Sequence, residues 1–386
     1  MELKPLFEPR SMAVFGVSLN NDRHPANEIF NKNLLRYPVR AHGVNPRGGT
    51  INGERIHRSI AEVPEPIDLA VIAVRADLVP EVFTACIEAR VRSAVVISGG
   101  FGEVGRFDLQ ERLRVIAAEA SFPFIGPNCL GIYSPGHVDT FFLPGERMVT
   151  PAPGNVSFVS QSGGILVDQM INFTNEGVGL AKAISIGNKA LLGELEILDY
   201  LAQDPATQVI AFYIEGFGPN EGREFVIRAK GCGKPVVVLK SGKSPGGSAA
   251  VTSHTASLAG DYASFSAVLT QYGVLEAANE LELVSFCESL SAYPKPTVGS
   301  VGIVTVSGGH GAIAVDACTA RGIVVPEVPE AAGESLRKSL SPSVREISAL
   351  ANPLDLTGSG IDDDFVAAAR FFFARDEIDC VLALLL

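Results

Sequence analysis

The chain contains 386 residues, of which 47% are hydrophobic and 19% are charged. A chain of this length forms roughly two to four domains and has enough apolar side chains to fill their cores, so we expect a soluble globular protein. The formal net charge of -12 is dispersed along the chain. Because dispersed negative charge repels phosphate backbones and anionic lipids, we expect neither a nucleic acid nor a membrane surface as a partner.

Two features of the sequence indicate its compartment. The first residues, MELKPLFEPR, lack the basic flank and apolar stretch of a signal peptide, and no run reaches the roughly 20 apolar residues that span a bilayer. The six cysteines lie far apart and form no C-x-x-C pair. We therefore predict a cytoplasmic protein without a disulfide scaffold or a zinc site, and we assign no residue to a metal.

Strands and helices alternate over the first part of the chain. From Ser11 to about Ser134, short β-branched runs are separated by amphipathic segments such as Asp77 to Ala89. The runs are MAVFGVS, RAHGVNP, DLAVIAV, SAVVISGG and FPFIGPN. This alternation is typical of βαβ units, so we predict an α/β domain with a parallel sheet over residues 1–147.

Two further α/β units follow. The Pro/Gly-rich segment MVTPAPGN indicates a linker, and strands are predicted after it at NVSFVSQ, LAKAISI, VIAFYIEG and PVVVLKSG. We predict parallel-sheet domains over residues 148–295 and 296–386. The last ends in DCVLALLL, a buried-strand pattern with no covering helix after it, so we expect this domain to be incomplete.

The second and third units open on the same pattern. Val156 stands six residues before the Ser-Gly-Gly at 162–164, and Val301 stands six residues before the Ser-Gly-Gly at 307–309. Each follows an apolar strand and precedes an apolar helical pattern, which indicates two related strand–loop–helix units. Chance similarity between two parallel strands is the alternative.

Three predicted strand ends carry small or polar residues that suit a phosphate. They are Gly16, Ser18 and Asn20 in VFGVSLNN, Arg47 in VNPRGG, and Ser98 and Gly99 in VVISGGFGEVG. Because ligands of doubly wound sheets bind outside the carboxyl ends of the strands, we predict a nucleotide-shaped crevice there. The first turn is not a complete G-x-G-x-x-G motif, so a plain tight turn explains it equally well.

The end of the second strand distinguishes between nucleotides. An NAD site normally has an acidic residue there that holds the ribose, whereas this chain has Asn45 and Arg47. An arginine at this place suits a phosphorylated ribose, as in CoA or NADP.

A second phosphate site is predicted in SFVSQSGGILVDQM. This segment reads as a strand, a small-residue turn and a helix, so the amides of Ser162, Gly163 and Gly164 form a nest at the positive end of a helix. A structural turn whose glycines only permit close packing explains the segment equally well.

The segment LKSGKSPGGSAAVTSHTASLAGDY contains the most informative histidine. His254 follows a β-strand and a Gly/Ser-rich stretch and stands among small hydroxyl residues, which leave room for a phosphoryl group. Imidazole is nucleophilic near neutral pH and forms a labile phosphoramidate. Glu215, which ends VIAFYIEG, is placed to orient the other ring nitrogen. The alternatives are a surface histidine and a solvated strand-end carboxylate.

Taken together, these segments resemble the α subunit, or α-like half, of the nucleoside-diphosphate-forming acyl-CoA synthetases, which include ADP-forming acetate–CoA ligase and succinyl-CoA synthetase. The resemblance spans the whole chain, and IGPNCLGI and SHTASLAG carry it most specifically. The other segments are VFGVS, VNPRGG, SGGFGEVG, VSQSGG, SIGNKALLGELEILDYLAQDP, YIEGF and NPLDLTGSG. It implies a Rossmann-like CoA-binding domain followed by two flavodoxin-like ligase domains.

The resemblance also implies roles for single residues. His254 corresponds to the family's phosphorylated histidine, Glu215 to the carboxylate that steadies it, and residues 162–164 to the helix-start phosphate site. Asn128 and Cys129, in GPNCLG, fall where the CoA thiol and the acyl phosphate meet. The positions that match CoA contacts are Ser18, Arg47, Ser98 and Gly99.

The implied function is the interconversion of acyl-CoA, ADP and phosphate with a small carboxylic acid, CoA and ATP through a phosphohistidine. The sequence has no ATP-grasp domain, which the family uses to hold ATP or ADP with magnesium. We therefore expect that domain on a separate β subunit or in a fused chain, and we expect an oligomer.

Four positions depart from the family pattern. Val167 stands where succinyl-CoA synthetases have a tyrosine that touches the substrate, so we do not expect succinate. Leu191 replaces a common aspartate, which alters the expected acid site, and Arg75 replaces a common proline, which adds a cation near the CoA phosphates. Ala256 replaces the usual glycine of the histidine loop and stiffens it.

Two other functions compete with this one. A non-catalytic CoA or acyl-CoA-binding regulatory module shares the fold, but relatives of that kind lose the histidine, whereas His254 stands here in an intact SHTAS segment. An NADP-dependent oxidoreductase needs a hydride-transfer site, and the sequence offers no obvious acid for one.

Overall fold

Three sheets organise the chain. The computed structural model describes residues 1–254, 261–293 and 298–385, apart from the side chains of residues 252–254 and 330. It divides into two compact units, Met1–Pro294 with two sheets and Lys295–Leu386 with one. None of the helices in the described ranges is long and apolar enough to cross a membrane.

The first sheet is formed by seven strands. They are β1 (Ser11–Phe15), β2 (Arg40–Val44), β3 (Gly49–Ile51), β4 (Glu54–His57), β5 (Leu69–Ile72), β6 (Ser93–Val96) and β7 (Phe124–Ile125). Their spatial order is β3-β4-β2-β1-β5-β6-β7, and every pair is parallel except β3–β4. The central strands β1, β5 and β6 are buried along their whole length, which explains their nearly continuous apolar sequences.

Four helices accompany this sheet. They are α1 (Lys4–Phe7), α2 (Pro25–Arg36), α3 (Val79–Glu88) and α4 (Phe107–Glu119), with single 3-10 turns at Ile60–Glu62, Ala76–Leu78 and Gly102–Val104. The α3 segment matches the helix expected from the amphipathic pattern between residues 77 and 89.

The second sheet also has seven strands. They are β8 (Gly131–Ser134), β9 (Val138–Asp139), β10 (Pro153–Ser160), β11 (Leu180–Ser185), β12 (Val209–Ile214), β13 (Val236–Lys240) and β14 (Leu275–Ala277). The order is β14-β13-β12-β10-β11-β8-β9, and only the β8 pairs are antiparallel. The sequence predicted β10 to β13 but not the β8–β9 hairpin, which joins this sheet although it precedes the predicted linker.

Six helices accompany the second sheet within the described residues. They are α5 (Gly163–Asn175), α6 (Glu194–Gln203), α7 (Glu221–Gly231), α8 (Pro245–His254), α9 (Tyr262–Tyr272) and α10 (Glu280–Ala292), with a 3-10 turn at Gly145–Arg147. Apolar side chains of α5 and α10 pack on one face of the sheet, and those of α6, α7 and α9 belong to the core on the other.

Buried contacts join the two sheets of the first unit. Asn33 on α2 donates from Nδ2 to the carbonyl oxygen of Asp139 on β9 at 2.6 Å, and its Oδ1 accepts from the Asp139 amide at 3.1 Å. Lys32 forms an ion pair with the Asp139 carboxylate at 2.9 Å. On another side, the ring of Phe7 in α1 stacks on Tyr200 in α6 with centroids 4.6 Å apart. These contacts fix one sheet against the other.

The third sheet has three parallel strands. They are β15 (Val301–Thr305), β16 (Leu354–Asp355) and β17 (Cys380–Leu384), in the order β16-β15-β17. The helices of this unit are α11 (Gly308–Thr319), α12 (Glu330–Arg337), α13 (Pro342–Arg345) and α14 (Asp362–Phe373). The prediction of an α/β protein built on mainly parallel sheets is therefore confirmed.

The two Ser-Gly-Gly segments have the same local geometry. Ser162 and Ser307 both precede the first residue of a helix, α5 and α11. In each case a hydroxyl two residues earlier accepts from the serine amide, at 3.1 Å for Ser160 and 3.0 Å for Thr305, and donates to the serine carbonyl oxygen. This shared hydrogen-bond pattern supports the predicted relation between the two strand–loop–helix units.

A buried ion pair joins β11 of the second sheet to the carboxyl end of α6. The Lys182 ammonium on β11 lies 2.6 Å from Asp204 Oδ2, and both side chains are at most 4% exposed. Thr207 Oγ1 donates to the same carboxylate at 2.5 Å. Burial alone raises the pKa of Asp204, but the hydrogen bonds from Lys182 and Thr207 outweigh burial and hold that pKa below its ordinary value.

Asp204→Asn should lower the free energy of urea unfolding by about 3–5 kcal/mol, because it leaves the Lys182 ammonium buried without its counterion. Asp199→Asn is the control, since Asp199 pairs with Arg228 at the surface and should contribute at most about 1 kcal/mol. Because the Asp204 pKa is lowered on folding, its contribution is complete above the unfolded value of about 3.9 and is lost as the pH falls through the folded pKa. Equal losses in both variants at pH 7 would contradict this assignment.

Candidate functional site

The carboxyl ends of the first sheet bring the predicted nucleotide residues to one edge. Ser18 follows β1, Arg47 follows β2 and Ser98 follows β6, and these strands are parallel. Parallel strands leave their sheet at the same edge, so these residues from distant parts of the sequence lie at one edge of the sheet. Arg75, after β5, is exposed at the same edge.

The turn after β1 is fixed by an asparagine that the sequence analysis missed. The Ser18 amide donates to Asn27 Oδ1 at 2.6 Å, and Asn27 Nδ2 donates to the Ser18 carbonyl oxygen at 2.8 Å. The Ser18 hydroxyl accepts from the amides of Asn21 at 3.1 Å and Asn20 at 3.4 Å. Gly16 has φ +96°, and a Cβ there would overlap the carbonyl oxygen of Ala73, so only glycine fits.

The turn after β2 is tied to the first turn. Asn45 Nδ2 donates to the carbonyl oxygen of Val17 at 2.7 Å, and Asn45 Oδ1 accepts from the Arg47 amide at 2.9 Å. Arg58 was not identified from the sequence, yet its side chain lies against Gly48, within 3.3 Å of where a Cβ would stand. Two cationic side chains therefore stand beside this turn.

The turn after β6 meets the segment after β7. The Ser98 hydroxyl donates to the carbonyl oxygen of Val74 at 2.5 Å, and the Asn128 amide donates to the Ser98 carbonyl oxygen at 2.9 Å. A Cβ on Gly99 would lie 3.2 Å from Asn128 Oδ1. The Cys129 thiol instead faces the core, where it donates to the carbonyl oxygen of Val96 at 3.3 Å. Burial raises the pKa of this thiol to about 12. Any contact of Cys129 with a ligand must therefore come from its backbone.

Asn188 joins this edge to the second sheet. Its Nδ2 donates to Glu103 Oε2 at 2.6 Å and to Gln110 Oε1 at 2.9 Å, and its Oδ1 accepts from Asn128 Nδ2 at 3.2 Å. A Cβ on the preceding residue, Gly187, would overlap the carbonyl oxygen of Asn128. The turn after β11 therefore packs directly on the GPN segment. The sequence showed the GNKA motif but no signal that it meets the first domain.

Glu103 holds the SGGF turn in place. Its carboxylate accepts from the amides of Gly100, at 2.5 Å, and Phe101, at 3.2 Å, as well as from Asn188. Burial disfavours the charged carboxylate, but these hydrogen bonds outweigh that cost and lower the pKa of Glu103.

The start of α5 lies beside the same segment. Ser162 caps the helix, and its hydroxyl accepts from the Ile165 amide at 3.4 Å. A Cβ on Gly163 would lie 3.3 Å from Leu130 Cβ, and the Leu130 amide donates to Ser185 Oγ at 3.0 Å. The helix is 13 residues long, so its amino end carries a partial positive charge that favours an anion. The segment 128–130 is thus in contact with the helix start, and Asn128 and Gly164 are its exposed residues.

Glu215 follows β12, the strand next to β10. It is 6% exposed and lies on the same strand face as Tyr213. Burial raises the pKa of Tyr213, and the charge of Glu215 and a hydrogen bond with it raise that pKa further. Lys240 Nζ donates to the Glu215 carbonyl oxygen at 2.7 Å. Glu215 is therefore held at both its backbone and its side chain.

His254 is the last residue of α8, and its side chain lies outside the described residues, as does the rest of SHTASLAG up to Gly260. The predicted contact between Glu215 and His254 therefore stays a prediction. Glu276 on β14 contacts the flanks of this segment: its carboxylate lies 3.7 Å from Lys243 Nζ and accepts from Tyr262 Oη at 2.8 Å and Ser266 Oγ at 2.5 Å. One carboxylate thus anchors residues on both sides of the histidine segment.

The described ranges contain no group of three or more His, Cys, Asp or Glu side chains arranged to hold a metal ion.

Comparison with known proteins supplies the family. Residues 10–135 match the model of a CoA binding domain, and residues 153–290 match that of the succinyl-CoA ligase like flavodoxin domain. The chain is 35% identical to the α subunit of acetate–CoA ligase (ADP-forming) II of Pyrococcus furiosus, over 98% of this chain and 81% of the relative. The chain belongs to the ADP-forming acetyl-CoA synthetase family. The resemblance inferred from the sequence is confirmed.

Two further comparisons show how the length of this chain relates to the length of its relatives. It is 36% identical to acetate–CoA ligase (ADP-forming) I of Archaeoglobus fulgidus, but spans only 55% of that relative's length. It superposes with a TM-score of 0.91 and 31% identity on acetyl-coenzyme A synthetase 1 of Ca. Korarchaeum cryptofilum in complex with phosphate and ADP, covering 99% of this chain and 81% of the other. This family member is thus similar to an α subunit.

Proposed function

We propose that this chain is the α-like half of an ADP-forming acyl-CoA synthetase, which interconverts acyl-CoA, ADP and phosphate with a carboxylic acid, CoA and ATP. The observation that supports the proposal is the junction at Asn128 to Leu130. There the carboxyl edge of a CoA-binding domain meets the start of α5, beside a second sheet whose strand end carries Glu215. A thioester and a phosphate bound at these places would be neighbours.

The proposed chemistry has three steps. A phosphate oxygen attacks the thioester carbonyl carbon, the carbon–sulfur bond breaks, and CoA leaves with an acyl phosphate remaining. A ring nitrogen of His254 then attacks phosphorus, the bond to the acyl oxygen breaks, and the carboxylate leaves. The phosphohistidine finally passes its phosphoryl group to ADP on the ATP-grasp partner, where magnesium is held as well.

The chain's own residues have separate tasks in this scheme. The start of α5, with Ser162, Gly163 and Gly164, stabilises the negative charge of phosphate and of the acyl phosphate. Glu215 holds the second ring nitrogen of His254 and supports the positive charge that the ring gains during transfer. Asn128 borders both ligands.

The acid substrate is proposed to be a small monocarboxylate such as acetate. Val167 and Leu191, which replace polar residues of the family pattern, are both half-buried and packed against apolar clusters. Neither side chain can donate a hydrogen bond, so a second carboxylate, as in succinate, would be buried beside Val167 without the tyrosine hydroxyl that succinyl-CoA synthetases place there. The two relatives named above, from Archaeoglobus fulgidus and Pyrococcus furiosus, are both acetate–CoA ligases.

The CoA nucleotide is proposed to bind along the edge formed by Gly16, Ser18, Asn20, Arg47, Ser98 and Gly99, with the Arg47 guanidinium on a phosphate. Arg47→Ala should weaken CoA roughly tenfold or more, because charge-assisted hydrogen bonds contribute about 1.5–3 kcal/mol. Calorimetric titration with CoA measures this, and Arg112→Ala, an exposed arginine on α4, is the control. If the two variants bind CoA equally well, Arg47 does not belong to the site.

The second prediction concerns the ATP-grasp partner, on which we place the site for ATP and ADP. The purified 386-residue chain should bind CoA but should not be labelled by γ-labelled ATP, because the nucleotide site lies on the partner. Addition of the ATP-grasp subunit should restore labelling. Stoichiometric labelling of the chain alone by ATP would refute this arrangement.

The phosphoryl carrier is tested from the acyl-CoA side, where the partner is not needed. With acetyl-CoA and labelled inorganic phosphate, the chain should acquire an acid-labile, base-stable phosphate, and His254→Ala should acquire none while it still binds CoA. Glu215→Gln keeps the shape of the side chain but removes its charge, so its labelling should be slower with unchanged CoA affinity.

The same assay decides between the enzyme and a non-catalytic CoA-binding module. A module binds CoA with normal affinity but never incorporates phosphate, in the wild type or in either variant. If His254→Ala releases free acid from acetyl-CoA at the wild-type rate with phosphate, ADP and the ATP-grasp partner present, the phosphohistidine route is wrong.

A further inference from the structure

A single buried amide contacts the backbone of Glu215 from the opposite face of the sheet. Gln161 lies between the end of β10 and the Ser162 helix cap and is 9% exposed. Its Oε1 accepts from the amides of Glu215 at 2.6 Å and Gly216 at 3.1 Å. Its Nε2 donates to the Gly216 carbonyl oxygen at 2.7 Å and to the Glu194 carboxylate. Both acceptor positions and both donor hydrogens of the amide are therefore used.

Two charged residues hold Gln161 from the other side. Glu194, in the first turn of α6, is only 2% exposed, and both of its oxygens lie 3.1 Å from Lys189 Nζ. Lys189 also donates to the Gly216 carbonyl oxygen at 2.9 Å, and its ammonium lies 5.4 Å from the ring centroid of Phe217. The chain of contacts from Lys189 through Glu194 to Gln161 thus connects the ends of β10, β11 and β12.

We propose that Gln161 is a positioning residue for the proposed phosphoryl transfer, which sets the distance between the Glu215 strand end and the phosphate site at Ser162. The proposal rests on the function proposed above, because that function gives Glu215 its task. Gln161 is covalently attached to Ser162 and hydrogen-bonded to the Glu215 backbone, so a shift of its amide moves one group relative to the other.

Only glutamine meets these four contacts. Asparagine is one methylene shorter and does not reach both strand ends. Glutamate has the right length but no donor hydrogens, so it faces the Glu194 carboxylate and the Gly216 carbonyl oxygen with lone pairs alone. Since a misplacement of about 1 Å costs on the order of 100-fold in rate, a small displacement here should affect the transfer step more than ligand binding.

The test measures phosphohistidine formation from acetyl-CoA and labelled inorganic phosphate, together with CoA affinity and the midpoint of urea unfolding. Gln161→Glu should lower the maximal labelling rate by roughly 100-fold, while CoA affinity changes by less than about twofold. The double variant Gln161→Glu with Glu194→Gln restores a donor opposite the new carboxylate. It should therefore be labelled at least about tenfold faster than the single variant Gln161→Glu. Gln208→Glu, an exposed glutamine beside the amino end of β12, is the matched control and should behave as wild type.

The outcomes separate this proposal from a purely structural role. If Gln161→Glu unfolds, Gln161→Asn replaces it with the same readouts, because it introduces no charge. A variant that folds and labels at the wild-type rate overturns the proposal. A labelling rate that falls only in proportion to the fraction of folded protein or to CoA affinity also overturns it. A double variant that labels no faster than Gln161→Glu overturns it as well. A wild-type chain that takes no phosphate instead overturns the proposed function, and the positioning role falls with it.

Discussion

The contact between the GPN segment and the turn after β11 is the interaction on which the candidate site depends. The amides of Asn188 and Ala190 donate to the carbonyl oxygens of Pro127 and Gly126, at 2.9 and 3.0 Å. Gly187 permits this approach, because any side chain there would overlap the opposing backbone. This contact places the carboxyl edge of the first sheet beside the start of α5, the two places where the proposed function puts CoA and phosphate.

Buried and exposed charged side chains have different surroundings in this fold. Two buried carboxylates, Asp204 and Glu194, face the ammonium groups of Lys182 and Lys189, so the cost of removing these charges from water is offset locally. Exposed arginines such as Arg47 instead stand at the sheet edge. The proposed phosphate contacts therefore lie at exposed cations and at a helix start, even though the whole chain is acidic.

The structure shows what surrounds three of the residues that depart from the family pattern. Leu191 packs against the core of the first sheet and Val167 against the core beneath α5, so both substitutions exchange polarity for apolar contact close to the junction. Arg75 stands exposed after β5, on the edge that carries Arg47. The chain therefore keeps the family's framework while single residues near the junction and at the sheet edge differ in size and charge.

The sequence by itself determined the features that depend on local order. Buried parallel strands need nearly continuous apolar runs, which made β1, β5, β6 and β10 to β13 visible, and Ser-Gly-Gly after a strand identified the starts of α5 and α11. The IGPNCLGI and SHTASLAG motifs led to the family because their residue types and spacing are specific. The β8–β9 hairpin was missed, since its strands are too short to show a period and its pairing with β11 is not local.

Only the tertiary structure decided which side chains meet. Asn188, Glu103 and Gln161 make contacts between the turns of different strands, up to 85 residues apart, and a polar residue in a loop has no sequence signal that names its partner. The structure also showed that the Cys129 thiol faces the core, because the direction of a side chain depends on the backbone around it. Local patterns of polarity thus fix strands, helices and motifs, whereas the geometry of a site depends on long-range packing that no short segment encodes.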